Sequence, residues 1–288
     1  MSHIPVLLNE ALSGLNLQAG AKIVDATLGE AGHALSICEA IGPQGTLLGI
    51  DLNQTNLEKS RKRLAGGICH AQFLQANFRN IKDFASEADG VLFDLGYSSG
   101  ELEESGRGFS FQKDEPLLMR YGEEGLTAAE ILNSWSEERT ADILETLGEE
   151  RFAEKIAREI VIYRKRKRIL TTFDLNEIIT RATPRWYQKG RLHPATKTYQ
   201  ALRMAVNDEL AALEEGLQGA WRILKSQGRL VIISFHSLED RLVKNFFRDK
   251  SKTGQARLIT KKPMRPKREE VLVNARARSA KLRSLEKI

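Results

Sequence analysis

A turn with two glycines, followed later by a carboxylate, has the spacing expected of a ligand-binding loop. In "VDATLGEAGH" (24–33), Gly29 and Gly32 follow a short apolar run, and Asp51 ends the next apolar run, "LLGID". In doubly wound sheets such a turn lets the backbone approach a nucleotide, and the acid accepts hydrogen bonds from ribose hydroxyls. The spacing Gly29-Glu30-Ala31-Gly32 departs from G-x-G-x-x-G and puts a carboxylate where a pyrophosphate would lie. It favours a cationic ligand such as S-adenosylmethionine, with a purely structural turn as the alternative.

A second carboxylate that is a candidate for a chemical role is Asp94 in "FDLGYSSGELE". It ends another apolar run and precedes Tyr97 by three residues. Enzymes that methylate exocyclic amines of bases often carry an Asp or Asn followed by an aromatic residue here. The carboxylate accepts a hydrogen bond from the amine while the ring stacks on the base. The alternative is an aspartate that caps the following turn.

These residues need a sheet to position them, and five short apolar runs bounded by turn residues predict its strands. The runs are 21–28, 45–52, 72–77, 90–96 and 228–235. Helical patterns between the first runs indicate parallel strand-helix-strand units, that is, an α/β doubly wound sheet. From about 105 to 200 the apolar residues follow helical spacing, and one long helix is expected to return to the sheet. We therefore predict a sheet domain of residues 1–104 and 201–288, with an all-helical insertion at 105–200.

Composition narrows the function further. The formal charge is +6, and ten basic residues lie between Arg257 and Arg283, a distribution that suits a phosphate surface. No apolar stretch is long enough to span a membrane, so a cytoplasmic protein is expected. Cys38 and Cys69 are far apart in sequence and are expected to be free thiols, and no metal site is predicted.

Ten segments in order carry a specific resemblance. They include "HIPVLLNEAL", "DATLGEAGH", "DLGYSSGELE", "RGFSF", "HPATKTYQALRMAVNDEL", "ISFHSLEDRLVK" and "ARARSAKLR". Together they resemble the RsmH (MraW) family of bacterial small-subunit rRNA methyltransferases. The resemblance implies a Rossmann-like class I methyltransferase fold, S-adenosyl-L-methionine as cofactor, and the N4 amine of a cytosine in the decoding region of 16S rRNA as acceptor. The implied partner is 16S rRNA or the small ribosomal subunit. The sequence leaves the oligomeric state open, a homodimer included.

The resemblance also implies site residues. The implied cofactor-binding residues are Ala31, Gly32, His33, Asp51, Phe78, Asp94 and Glu101. Asp94 is also the candidate catalytic residue. Three positions depart from the family pattern: Ala31 replaces a glycine, Glu101 a glutamine and Leu118 an acid.

The candidate substrate-binding residues are cations, histidines and rings, namely Arg107, Phe109, His193, Lys197, Arg203, His236, Arg276 and Arg278. Packing within the insertion is the competing account of "RGFSF", and Ser237 is expected to cap a helix through a capping box with Asp240. Two other functions stay open: a small-molecule methyltransferase, and a non-catalytic RNA-binding factor of ribosome assembly.

Overall fold

The computed structural model describes residues 4–96 and 106–288 of the chain. These residues form two compact units. Residues 4–96 and 210–288 make up the sheet unit, and residues 106–209 make up the helical unit. No helix in the described ranges is long and apolar enough to cross a lipid bilayer.

The sheet unit contains a seven-stranded sheet. Its strands are β1 (Lys22–Asp25), β2 (Thr46–Asp51), β3 (His70–Gln75), β4 (Ala88–Asp94), β5 (Leu224–Ser234), β6 (Ala256–Leu258) and β7 (Lys281–Lys287). The strand order is β3-β2-β1-β4-β5-β7-β6; the first five strands are parallel, and β6 and β7 are antiparallel to their neighbours. The predicted doubly wound α/β fold is confirmed.

Helices cover both faces of this sheet, and a core lies on each side. The helices are α1 (Leu8–Leu15), α2 (Gly32–Ile41), α3 (Gln54–Arg63), α4 (Ile81–Phe84), α11 (Glu209–Ile223), α12 (Ser237–Lys252) and α13 (Arg268–Val273). Along β5, Val231 and Ile233 belong to the core beneath α1 and α2, while Leu230 and Ile232 belong to the core beneath α11 and α12. Because side chains alternate along a strand, an unbroken apolar run fills both cores.

The helical unit contains α5 (Ala128–Ser134), α6 (Glu137–Thr146), α7 (Ala153–Arg164), α8 (Thr172–Ala182), α9 (Arg185–Gln188) and α10 (Thr196–Asn207). Two helices begin with capping boxes, Thr127 with Glu130 at α5 and Thr171 with Asp174 at α8. Such boxes satisfy backbone N–H groups that a helix start leaves unpaired. The apolar faces of these helices enclose a separate core.

The prediction that one long helix returns to the sheet is wrong. Helix α10 ends at Asn207 and α11 begins at Glu209, because Asp208 adopts the left-handed conformation with φ 49°. Asn207 stabilises the break: its side-chain amide donates to the Met119 carbonyl at 2.7 Å and accepts the Tyr121 N–H at 2.9 Å. Aspartate enters this region of backbone conformation more readily than most residues.

The expectation of two free thiols is also wrong. Cys38 in α2 and Cys69, just before β3, form a disulfide with a Cα–Cα distance of 5.2 Å. The two residues are 31 positions apart in sequence, and the packing of α2 beside the sheet brings them together.

Candidate functional site

Three aspartates end adjacent parallel strands and meet at one edge of the sheet. Asp25 ends β1, Asp51 ends β2 and Asp94 ends β4, and β1 lies between the other two strands. The carboxyl ends of parallel strands are where doubly wound folds bind ligands. Sequence reasoning selected Asp51 and Asp94 but missed Asp25, although the same signal, an acid at the end of a short apolar run, was present.

The glycine turn lies above this edge. Gly29 and Ala31 have left-handed φ values of 52° and 59°, and Gly32 begins α2. The Gly29 N–H donates to Asp51 Oδ2 at 2.8 Å. A Cβ built on Gly29 would meet no atom of residues 4–96 or 106–288 within 4 Å. Among the described residues, the backbone of the turn is therefore open on the side of Gly29.

The Asp51 carboxylate is held in place by backbone N–H groups. Besides the bond from Gly29, its Oδ1 accepts the Asn53 N–H at 2.7 Å, and the Asn56 amide approaches both oxygens at 3.4–3.5 Å. A carboxylate has about four acceptor positions. An anchored, half-buried carboxylate of this kind suits a pair of ribose hydroxyls.

His33 lies between the Val6 carbonyl and the Asp94 carboxylate. The ring Nε2 of His33 lies 3.0 Å from the Val6 carbonyl oxygen, and its Nδ1 lies 3.5 Å from Asp94 Oδ2. A carbonyl only accepts hydrogen bonds, so Nε2 carries a hydrogen and donates it. On a neutral ring, Nδ1 would then turn a bare lone pair towards a carboxylate, which is repulsive. The contact with Asp94 is therefore an ion pair only when the His33 ring is protonated.

Asp25 adds a third titratable group to this cluster. It is 1% exposed, and burial raises its pKa to about 7, against the opposing effects of His33 and the Thr27 N–H. Burial lowers the pKa of His33, since a desolvated ring disfavours the imidazolium. The cluster can take up or release a proton near neutral pH, a property typical of functional sites.

Phe78 and Glu30 flank the same edge. The Phe78 ring packs edge-to-face on Phe93 with centroids 5.4 Å apart, and it lies so close to Gly216 that a Cβ there would come within 2.8 Å of it. The Glu30 carboxylate contacts Lys59 Nζ at 2.7 Å. Its charge is thus partly neutralised within the fold, which weakens the argument that Glu30 itself selects a cationic ligand.

Comparison with known proteins identifies the family. A family model described as the MraW methylase family matches residues 1–288. The chain is 42% identical to "Ribosomal RNA small subunit methyltransferase H" of Brevibacillus brevis, over 99% of this chain and 98% of the relative. It is 45% identical to the protein of the same name from Cyanothece sp., over 99% and 95%. The chain belongs to the MraW methylase family.

A solved structure supports the fold. A Clostridium thermocellum protein described as an rRNA methylase matches over the full length of both chains, with a TM-score of 0.50 and 12% identity. The family assignment confirms the predicted enzyme class, a methyltransferase that uses S-adenosyl-L-methionine. The residues present fit this cofactor, because the glycine turn and the backbone-anchored Asp51 carboxylate meet at the ligand-binding edge of the sheet.

His236 has a structural role that the sequence analysis assigned to Ser237. His236, and not Ser237, is the N-cap of α12, and its box partner is Glu239, and not Asp240. Asp240 instead accepts Lys281 Nζ at 3.0 Å and Arg283 Nε at 2.7 Å. The capping box was expected one residue too late, because a histidine ring nitrogen substitutes for the usual hydroxyl oxygen.

Part of the basic segment 257–283, here called the basic tail, makes contacts within the fold. Glu270 accepts the Leu7 N–H at 2.8 Å, and the Asn274 amide donates to the Ile4 carbonyl at 3.1 Å. These contacts hold the N-terminal segment whose Val6 carbonyl receives the His33 ring. Arg276 and Arg278 lie in the adjoining 3-10 turn Ala275–Ser279, the first half-buried and the second exposed.

In the helical unit, three predicted substrate-binding cations make internal contacts. Arg107 donates to the Tyr121 carbonyl at 2.8 Å, and Lys197 Nζ donates to the Glu149 carbonyl at 2.6 Å. Arg203 forms a two-point ion pair with Glu209, at 2.9 and 3.0 Å.

The rings of the helical unit stack in pairs. Phe109 stacks on Tyr121 at 5.6 Å, and His193 stacks on Phe111 at 4.2 Å. His193 and Arg278 are the exposed members among the predicted substrate-binding residues. Glu101 and Tyr97 lie outside the described residues.

Proposed function

We propose that this chain transfers the methyl group of S-adenosyl-L-methionine to the N4 exocyclic amine of a cytosine in the decoding region of 16S rRNA. The observation that carries the proposal is the set of aspartates at three adjacent strand ends beside an open glycine turn. The relatives' name, small-subunit rRNA methyltransferase, supports the RNA substrate. The proposed activity takes place in the cytoplasm, with 16S rRNA or the small ribosomal subunit as the partner.

Each side chain at this edge has a proposed role. Asp51 accepts the ribose hydroxyls, Phe78 lies beside the adenine, and the turn from Ala31 to His33 contacts the amino acid end. Asp94 is placed to accept a hydrogen bond from the cytosine amine. Glu101 is proposed as a further cofactor contact on the resemblance alone.

The chemistry requires positioning and a place for one proton. The amine is a poor nucleophile because its lone pair is conjugated with the ring, and the cofactor supplies a methyl group activated on a sulfonium. As the N–C bond forms, the nitrogen must release one proton. Asp94 orients the amine, and its carboxylate, 3.5 Å from His33 Nδ1, is the group proposed to accept that proton.

RNA recognition is proposed for the helical unit together with the basic tail. Exposed His193 and Arg278 are the leading contacts, because their side chains are accessible. Arg107, Phe109, Lys197, Arg203, His236 and Arg276 remain proposed contacts whose present partners lie within the protein.

The deciding experiment is nucleoside mass spectrometry. Purified protein is incubated with S-adenosylmethionine and small subunits that lack the modification, and the RNA is digested to nucleosides. We expect N4-methylcytidine. A methyl group on ribose or on a ring carbon would refute the acceptor, and RNA binding without any transfer would favour the non-catalytic assembly factor.

A further inference from the structure

Three aromatic side chains of the helical unit form a cluster near the surface, here called the aromatic platform: Phe152, Trp186 and Tyr187. Phe152 precedes α7, and the other two lie in the short helix α9. Phe152 lies 4.9 Å from Tyr187 and 5.8 Å from Trp186, centroid to centroid. Trp186 is 59% exposed.

A buried acid, Glu150, holds two members of the aromatic platform in place, Phe152 and Tyr187. Glu150 is 3% exposed; its Oε2 accepts the Tyr187 hydroxyl at 2.8 Å, and its Oε1 accepts the Phe152 N–H at 2.9 Å. The far end of α9 is tied down by Gln188, which donates to the carbonyls of Thr180 and Thr183 at 2.8 Å. Trp186 therefore extends from a fixed base, so little ordering cost accompanies contact with a ligand.

Two cations lie beside the rings. The Arg151 guanidinium lies 5.4 Å from the Trp186 centroid, and Lys155 Nζ lies 5.7 Å from the Phe152 centroid. The segment 183–197 adds Arg185, Lys189, Arg191 and Lys197 and contains no Asp or Glu. A face of exposed indole bordered by cations matches the two parts of a nucleotide, a base with a π-face and a phosphate.

We propose that the aromatic platform is an RNA-binding site, in which an unpaired base stacks on Trp186 while Arg151 and the cations of 183–197 contact phosphates. This inference rests on the proposed function, since it names where part of the RNA substrate binds. Stacking needs only a π-face, so the site accepts any base and adds affinity without selecting the methylated cytosine.

The test uses the full chain and two probes, a short single-stranded oligoadenylate and heparin, a polyanion without bases. We expect Trp186→Ala to weaken oligoadenylate binding by about tenfold or more, because a base stacked on an aromatic side chain contributes strongly. Trp186→Phe keeps a ring and should retain most of the affinity. The matched control is Leu170→Ala, since Leu170 is 50% exposed in the same unit and lies outside the 183–197 segment, and it should bind as the unaltered protein does.

Intrinsic fluorescence gives an independent readout. Oligoadenylate should quench the emission that is lost in Trp186→Phe, and heparin should not, because quenching by stacking requires a base. Equal oligoadenylate binding by Trp186→Ala and the unaltered protein would overturn the proposal, as would equal quenching by both probes. Loss of self-association in Trp186→Ala with unchanged RNA binding would make the platform a protein contact instead.

Failure of this inference is distinct from failure of the proposed function. If N4-methylcytidine forms and Trp186→Ala binds RNA normally, the platform is refuted and the activity stands. Circular dichroism of each variant excludes unfolding as the cause of a lost signal.

Discussion

Asp25 in the sheet unit and Asp174 in the helical unit are both buried, at 1% and 7% exposure, yet their surroundings differ. Asp174 contacts Lys167 Nζ at 2.7 Å and accepts the N–H groups of Leu170 and Thr171. Burial raises its pKa, but these hydrogen bonds outweigh burial and hold the pKa below its usual value. Asp25 accepts the Thr27 N–H and faces His33, and burial raises its pKa to about 7.

The difference separates two uses of a buried acid. In the helical unit the carboxylate is neutralised by a cation and caps α8, so its charge stabilises the fold. In the sheet unit the acid lies beside His33 and Asp94 at the ligand edge and titrates near neutral pH. An acid whose pKa is raised in this way is typical of a site that takes up or releases protons. An acid paired with a lysine stabilises the fold instead.

The largest expected effect is on the rate of methyl transfer, and it tests this distinction. We expect Asp94→Asn to lower the rate of methyl transfer by about 10² or more, because the uncharged amide cannot accept the proton of the amine, while donor affinity changes little. Single-turnover transfer and calorimetric titration with S-adenosylmethionine measure the two quantities. Asp174→Asn, on the architectural side, should leave transfer by folded protein unchanged; equal losses in both variants would remove the distinction.

The second effect is the pH dependence of stability. The pKa of Asp25 is raised from 3.8 to about 7 on folding, so its stabilising contribution is full below the unfolded pKa and is lost as pH rises through about 7. Asp25→Asn removes this loss. The free energy of unfolding of Asp25→Asn minus that of the unaltered protein should therefore rise by about 2–3 kcal/mol as the pH increases from about 5 to 7.

The control for this measurement has the opposite sign. The pKa of Asp174 is lowered, so its contribution is present above the unfolded value of 3.8 and is lost only as pH falls through the folded pKa. Asp174→Asn should show a constant cost over the same range. Urea titrations at each pH measure both variants, and a flat difference for Asp25→Asn would show that this carboxyl group is ionised in the folded protein.

The third effect concerns cofactor affinity. Asp51→Ala removes the carboxylate proposed to accept the ribose hydroxyls, and bonds to a charged group contribute about 1.5–3 kcal/mol, so the dissociation constant should rise by roughly tenfold to a hundredfold. Calorimetric titration with S-adenosylmethionine measures it. Asp249→Ala, an exposed acid in the same unit, serves as the control, and matching affinities would refute the role of Asp51.

The smallest effect tests the turn itself. Ala31 and Ala34 are both 0% exposed, but Ala31 has φ 59° and Ala34 lies within α2. In Ala31→Gly the lost methyl packing is offset by relief of the left-handed backbone, so stability should change by less than about 1 kcal/mol. Ala34→Gly loses packing and helix propensity and should cost about 2 kcal/mol. Equal costs in thermal unfolding would show that Ala31 is unstrained.

Local patterns were sufficient to predict most of the sheet and two of its acids. Strands buried on both faces require continuous apolar runs ended by turn residues, and β1, β2, β4 and β5 follow that rule. Because parallel strands present their carboxyl ends together, the order of runs also placed Asp51 and Asp94 at one edge. The resemblance to the MraW family then supplied the chemistry that neither acid could specify alone.

Contacts between residues distant in sequence were decided only by the tertiary structure. The Cys38–Cys69 bond, the helix break at Asp208 and the aromatic platform all depend on neighbours that a local pattern does not contain. The pKa of Asp25 is the clearest case, since the sequence shows an aspartate and the fold removes its water. Propensity and periodicity act over a few residues, whereas desolvation and charge pairing depend on everything that surrounds a side chain.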